Sequence, residues 1–345
     1  MEKNPLLSVI IPAYNSGNYI IETLESIICQ SFTDYEIIIV DDGSTDDTSL
    51  KCNEFIAEHG NKRIYYYYQD NKGVSAARNY GLNFAQGKYI HFMDSDDLIV
   101  NEMYSVFAKL VDNYNPDIII GGVQVQRTSS SELLHVPKDI YYKDTTSVSS
   151  FLEKLTVDNK DWMLNVLWNK WFRADIIRAN CIEFKNICPG EDYEFVAHYL
   201  CLTNSIYVSK DIVYKYIVKT SGSLISNRYN YKSQIQRRST CWDQTKNLMQ
   251  KYGFSNSAFD IAEGYSLYSA LYSYLIYDKD KSFTYKLKIV QSFIDGTYFS
   301  SILLYFNNTG GFLKRLEKII FTTRNGIAIL IYILMKQRVQ KHLNI

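Results

Sequence analysis

Short continuous apolar runs recur through the first third of the chain. Each is followed by a polar turn and then by a segment whose apolar residues fall three and four apart. Ser8-Val9-Ile10-Ile11-Pro12 reads as a buried parallel strand that ends at Pro12. The turn Ala13-Tyr14-Asn15-Ser16-Gly17 follows, then a helix over 19–30 with Ile20, Leu24 and Ile27 on its buried face. Tyr35-Glu36-Ile37-Ile38-Ile39-Val40 is a second strand, and residues 47–58 form a helix capped by the acidic turn before it. A third strand covers 63–69, and a helix over 73–84 is terminated by Gly87. A fourth strand starts at Lys88, and a helix over 100–114 and a strand over 117–123 complete the series. Strand and helix alternating at this rhythm predict a mostly parallel sheet covered by helices on both faces.

Beyond Val123 the pattern loosens. Residues 124–146 are mixed and polar with short β-like pieces, and 147–157 reads as a helix. Residues 161–172 hold three of the four Trp and read as a core helix through Leu164 and Leu167. A helix is expected over 189–202, strands over 205–208 and 212–218, and a polar loop over 219–223. Helices follow at 232–251, 256–277 and 286–294. Tyr265, Tyr268 and Tyr272 share a helical face suited to packing. The chain therefore divides into an α/β region, 1–228, and a helical C-terminal region, 229–345. The α/β region itself has halves 1–123 and 124–228.

Composition narrows the class. The chain has 345 residues, 46% hydrophobic and 21% charged, as in a folded globular protein of about two units. Lys and Arg number 37, as do Asp and Glu, so no global charge points to nucleic acid. The six Cys show no C-x-x-C spacing and read as reduced thiols, which implies a cytoplasmic setting rather than a zinc site. The first residues carry no signal-peptide pattern.

The chemistry is concentrated where strands end. The fourth strand closes in Asp94-Ser95-Asp96-Asp97 and the second in Asp41-Asp42. Both clusters open onto one rim of a parallel sheet, the rim where such sheets bind ligands. Clustered carboxylates repel one another, and a hard divalent ion such as Mn²⁺ or Mg²⁺ is the usual compensation. A solvated acidic turn that caps the next helix is the plainer alternative. The first turn lacks G-x-G-x-x-G, which excludes a dinucleotide fingerprint, and no P-loop is present. A nucleotidyltransferase would want a basic, Gly-rich first turn, and 12–17 has no Lys or Arg.

Seven pieces in one order resemble the family 2 glycosyltransferases of the GT-A, Rossmann-like fold, of bacterial surface-polysaccharide type. They are Val9 to Asn15, Val40 to Asp46, Gly73 to Asn79, Gly87 to Ile90, Asp94 to Asp97, Trp168-Asn169-Lys170 and Gly190-Glu191-Asp192. The resemblance implies a nucleotide-diphosphate sugar, UDP by family habit, lying across the first half of the sheet. Pro12, Tyr14 and Asp42 would hold base and ribose with Asp41 behind them, and Arg78 and Asn79 would lie near nucleotide or sugar. Asp94 and Asp96 form the D-x-D pair. Asp96 would ligate Mn²⁺ or Mg²⁺, Asp94 would contact ribose or sugar, and Asp97 would share either role. Glu191 and Asp192 match the acidic pair beside the acceptor, with Asp192 as base. Lys219 matches a loop that closes on the diphosphate. Trp168 is a candidate for stacking on an acceptor sugar if its ring is exposed.

These residues suit inverting sugar transfer by a single displacement. A cation offsets charge on the leaving diphosphate, and a carboxylate on the opposite face takes the acceptor proton. The helix N-terminus is expected to hold Asp192 ionised. The expected acceptor is a lipid-linked glycan of a capsule or other surface polymer. Residues 311–345 carry seven Lys and Arg against Glu317 alone, around an apolar run over 326–335. That tail suits either packing on the catalytic domain or contact with the inner face of the plasma membrane. The other reading is a non-catalytic sugar-nucleotide-binding scaffold of a membrane assembly.

Overall fold

The computed structural model describes residues 3–60, 62–100, 102–126, 131–134, 138–157, 166–186, 190–217, 281–295 and 312–342, with shorter pieces between 246 and 303. The chain divides into two units, Met1–Ser223 and Leu224–Ile345.

The first unit is built on β1 (Leu7–Ala13), in which every residue is buried. It pairs in parallel with β2 (Tyr35–Asp42) on one side and β4 (Tyr89–Phe92) on the other. β3 (Ile64–Gln69) extends the sheet beyond β2, again in parallel. Continuous Val and Ile runs form β1 and β2 because both sheet faces are covered there. Helices α1 (Ile20–Ile28), α2 (Thr48–Glu58) and α3 (Val74–Leu82) make the crossovers. Helix α3 lies close on the sheet: a Cβ at Gly81 would stand 2.6 Å from Ile10 Cγ2.

The second half departs from simple alternation. β5 (Leu98–Ile99) and α4 (Met103–Tyr114) follow the acidic turn, then β6 (Ile118–Gln126), β7 (Ser131–Leu134), β8 (Ile140–Tyr142) and α5 (Thr145–Val157). Next come β9 (Lys170–Arg173), α6 (Ala174–Ala179), α7 (Glu191–Leu202) and β10 (Ile206–Ile217). The main strand order is β3-β2-β1-β4-β9-β6-β10-β5. The fold is thus GT-A: mixed α/β on a mostly parallel sheet, with a helical C-terminal region.

Three expectations change. The described part of 161–172 is not helical: Trp171 and Phe172 lie in β9, an antiparallel strand wedged between β4 and β6. Trp171 packs against Phe32, Tyr89, Tyr104 and Phe107, so aromatic bulk there serves a sheet core. The two strands expected over 205–218 are one long strand, β10, kept parallel to β6 by register shifts after Val208 and Ile212. Leu98 and Ile99 pair with β10 before α4 begins, so α4 starts later than its apolar pattern suggests.

In the second unit, α8 (Phe283–Ile294), α9 (Phe312–Thr322) and α10 (Gly326–His342) share a core of Leu275, Val290, Phe321, Ile329, Leu330 and Ile333. Tyr268 belongs to it and donates its hydroxyl to the buried carboxylate of Glu317, 2.7 Å away. Tyr265 and most of 232–277 lie outside the described residues.

Candidate active site

The acidic turn after β4 and the start of α7 meet at one arginine. Arg78 projects from α3, is 4% exposed, and donates from Nη2 to Asp94 Oδ1 at 3.0 Å. Its Nη1 donates to Asp192 Oδ1 at 2.6 Å and lies 3.8 Å from Glu191 Oε1. The guanidinium also lies over the Phe184 ring, 5.3 Å from its centroid. Three acids from two distant segments thus share one cation.

Local sequence explains the placement. Gly190 precedes α7 at φ 127°, a conformation open to glycine, and starts the helix so that Glu191 and Asp192 occupy its first turn. Glu191 Oε2 accepts from the Gly190 N–H at 2.9 Å. Helix α3 grips the approach to α7. Asn79 Nδ2 donates to the Phe184 carbonyl and its Oδ1 accepts from the Phe184 N–H, both at 2.8 Å. Ser75 donates to the Lys185 carbonyl at 2.9 Å. Phe184 then stacks on Phe195 and meets the edge of Phe92. Asn79 is therefore a clasp, with both ends of its amide bonded to the Phe184 backbone. Asn79→Leu leaves two backbone groups of Phe184 unpaired, so stability should fall by about 2 kcal/mol in urea unfolding.

The carboxylates have unequal settings. Asp94 and Asp192 keep 32% and 25% of their side-chain surface open. Burial nevertheless pushes each up to about 6, repulsion from neighbouring acids adds to the rise, and Arg78 opposes it. Desolvation and the adjacent Glu191 thus raise Asp192 where a helix N-terminus alone would lower it, and at about 6 it is still mostly ionised at neutral pH, as expected of a base. Asp96 is half-buried at the rim. Ser95 between them is buried and shares a 2.7 Å hydrogen bond with Ser16, which ties the acidic turn to the turn after β1. Asp97 turns inward: it is buried, accepts from the Tyr214 hydroxyl at 3.1 Å, and its carbonyl accepts from Thr23. That position does not suit the metal or sugar role expected of it.

The pair that ends β2 is also turned into the protein. Asp41 accepts from the Ser44 N–H at 2.8 Å and the Tyr66 hydroxyl at 2.6 Å. Asp42 accepts from Gln69, the Lys72 N–H and the Gly73 N–H, all within 2.8 Å, and so fixes the entry to α3. Gly73 adopts φ 91° there. Pro12 is buried just past the end of the β1–β4 pairing, while Tyr14 is 52% exposed at the head of the same rim. Trp168 is not an exposed platform: it is buried, with Tyr214 stacked at 4.2 Å and Tyr216 at 5.5 Å. Lys219 lies outside the described residues.

Lys170 had no role assigned from sequence, yet it is fully buried near this cluster. Its ammonium donates to the Val166 carbonyl at 2.5 Å and to Asn169 Oδ1 at 2.8 Å. Burial brings it down to about 7, against attraction from Asp192. A lysine inside an aromatic run was the available signal. His91 braces the same loop from β4. Its Nε2 lies 2.7 Å from the Trp168 carbonyl, which only accepts, so that nitrogen carries the proton.

The rim offers hard oxygen donors that suit a divalent cation. Among the described residues no three His, Cys, Asp or Glu side chains converge as a ligand set. Any ion held by Asp96 and Asp94 would draw its other ligands from substrate or water.

Several known proteins are similar to this chain in sequence or in fold. GlyA of Streptococcus pneumoniae, a glycosyltransferase, is 35% identical over 222 residues, which are 63% of this chain and 31% of GlyA. The glycosyltransferase GlyG of the same organism is 28% identical over 237 residues, 65% of this chain and 74% of GlyG. The match thus spans under a third of GlyA and about three quarters of GlyG. A crystal structure of S. aureus TarS 1–349 in complex with UDP has a TM-score of 0.65 at 18% identity, covering 97% of this chain and 92% of that one. The family model for glycosyl transferase family 2 matches residues 8–179, from β1 to the end of α6, taking in Arg78 and the acidic turn. Residues 8–179 of this chain therefore form a glycosyl transferase family 2 domain.

Proposed function

We propose that this protein transfers a sugar from a UDP-sugar to a hydroxyl of a growing surface glycan, with inversion at the anomeric carbon. The acceptor in this reading is lipid-linked and presented at the inner face of the plasma membrane. The observation that carries it is the Arg78 bridge, which sets the acidic turn of β4 and the Asp192 carboxylate into one rim from opposite segments. Asp192 takes the proton of the attacking hydroxyl. Arg78 and the clasp at Phe184 fix where that carboxylate points, and Lys170 adds positive charge behind it. The exposed Tyr14 ring offers a face for the base, and Asp42 shapes the pocket wall through the backbone of 72–73. Bound Mn²⁺ or Mg²⁺ would offset charge on the departing diphosphate, with Asp96 holding it and Asp94 beside it. Crystallisation of TarS with UDP supports the choice of base.

Ligand-linked stability tests this reading. A UDP-sugar with Mn²⁺ at 100 times its dissociation constant should stabilise the fold by about 2.7 kcal/mol. Excess chelator should remove most of that gain, and so should Asp96→Ala in a protein that still folds. No shift with any nucleotide sugar would sink the donor assignment. A shift without turnover of donor would favour the scaffold reading.

A further inference from the structure

Helix α10 is apolar on two sides, and among the described residues of its unit only one of them is buried. Ile329, Leu330 and Ile333 are fully buried in the second-unit core. On the outer side Ile327, Ile331 and Met335 are 50%, 45% and 61% exposed. They are four residues apart and therefore form one stripe along the helix. A helix on a protein surface normally turns polar residues outward. Ile319 of α9 is exposed as well, next to the exposed Lys318.

Charge frames the stripe. Arg324 is exposed in the turn before α10. Glu317 is the single acid of 311–345, and it is buried with Lys336 at 2.5 Å. In sequence, 311–345 further holds Lys314, Arg315, Lys318, Arg324, Arg338 and Lys341, a positive excess for the segment.

We propose that this outer face of α10 docks on an anionic lipid surface, with Ile327, Ile331 and Met335 in the acyl boundary and the flanking cations at the headgroups. No helix among the described residues is long and apolar enough to cross a membrane, so α10 lies along the interface. A second copy of the chain is the poorer occupant, because a two-fold contact would press the same cations together. The docking rests on the proposed lipid-linked acceptor for its purpose, but lipid binding is measured without substrate, so each can fail alone.

The test is co-sedimentation of the full chain with phosphatidylcholine vesicles, with and without phosphatidylglycerol. Binding should require the anionic lipid and weaken at least ~10-fold in high salt. Ile331→Asp with Met335→Asp should weaken it at least ~10-fold while leaving the urea midpoint near that of the parent. Should that pair fail to fold, Ile327→Ser with Met335→Gln reads the same face. Absence of binding to anionic vesicles, or equal binding by a folded variant, overturns the proposal. So does a concentration-dependent dimer in light scattering that these substitutions dissolve, since the face would then join two copies.

Discussion

Asp192→Asn should lower sugar transfer by at least ~10²-fold while leaving UDP-sugar binding close to that of the parent, if the carboxylate acts as general base. The substitution keeps shape, and an amide oxygen still accepts from Arg78 Nη1, so the bridge to α3 survives in weakened form. What disappears is the group that takes the acceptor proton. Turnover and donor affinity, measured separately by radiolabelled transfer and calorimetry, distinguish this from damage to the donor site. The parent should also show an acid limb. Burial and the neighbouring acids lift Asp192 to about 6, and the base works only when ionised. Transfer should therefore be full above that pH and fall as pH drops through it. The Asn variant should lose that limb. Near-parental turnover in the variant would leave Asp192 as a helix-capping acid, and retention of anomeric configuration would contradict the single displacement.

The parallel half of the fold is legible because both faces of its sheet are covered. β1 and β2 need unbroken apolar runs, and few other structures tolerate Val9-Ile10-Ile11 or Ile37-Ile38-Ile39 between polar turns. β9 is not legible in the same way. A short aromatic run has no period that separates a buried strand from a buried helix, and its partners β4 and β6 are remote in sequence. At the site, sequence located the acids but not the direction each one faces. Asp42 and Asp97 sit in motif positions, yet Asp42 accepts from Gly73, Lys72 and Gln69, and Asp97 is buried and accepts from Tyr214. Asn79 follows Arg78 directly, and one helical step turns it from the acids to the Phe184 backbone. Such differences arise from contacts across many tens of residues, which no local pattern encodes.

Arg78→Met should be the most destabilising single change at the rim, costing about 3 kcal/mol, because it strips a buried cation from one buried and two partly buried acids. Methionine fills much of the space beside Phe184 and so limits the packing loss. The loss is therefore electrostatic: Asp94, Asp192 and Glu191 would face one another with no guanidinium between them. The sign with pH follows from linkage. Asp94 and Asp192 already stand at about 6 with Arg78 present, above the ordinary aspartate value of 3.8. Removing the cation raises them further, so the folded variant binds protons more tightly than its unfolded chain. Its stability should then rise as pH falls from 7 towards 4, and its deficit against the parent should shrink over that window. Urea midpoints for both proteins at pH 7, 6 and 5 measure the convergence. A deficit that stays constant with pH would mean that Arg78 acts through its packing against Phe184 rather than through its charge. Transfer by the variant should be lost even where it folds, because Asp192 would be protonated at neutral pH and no longer aimed by the bridge. Arg78→Lys separates the two contributions: one ammonium restores charge but cannot span both acids as the planar fork does, so it should recover most of the stability and little of the transfer.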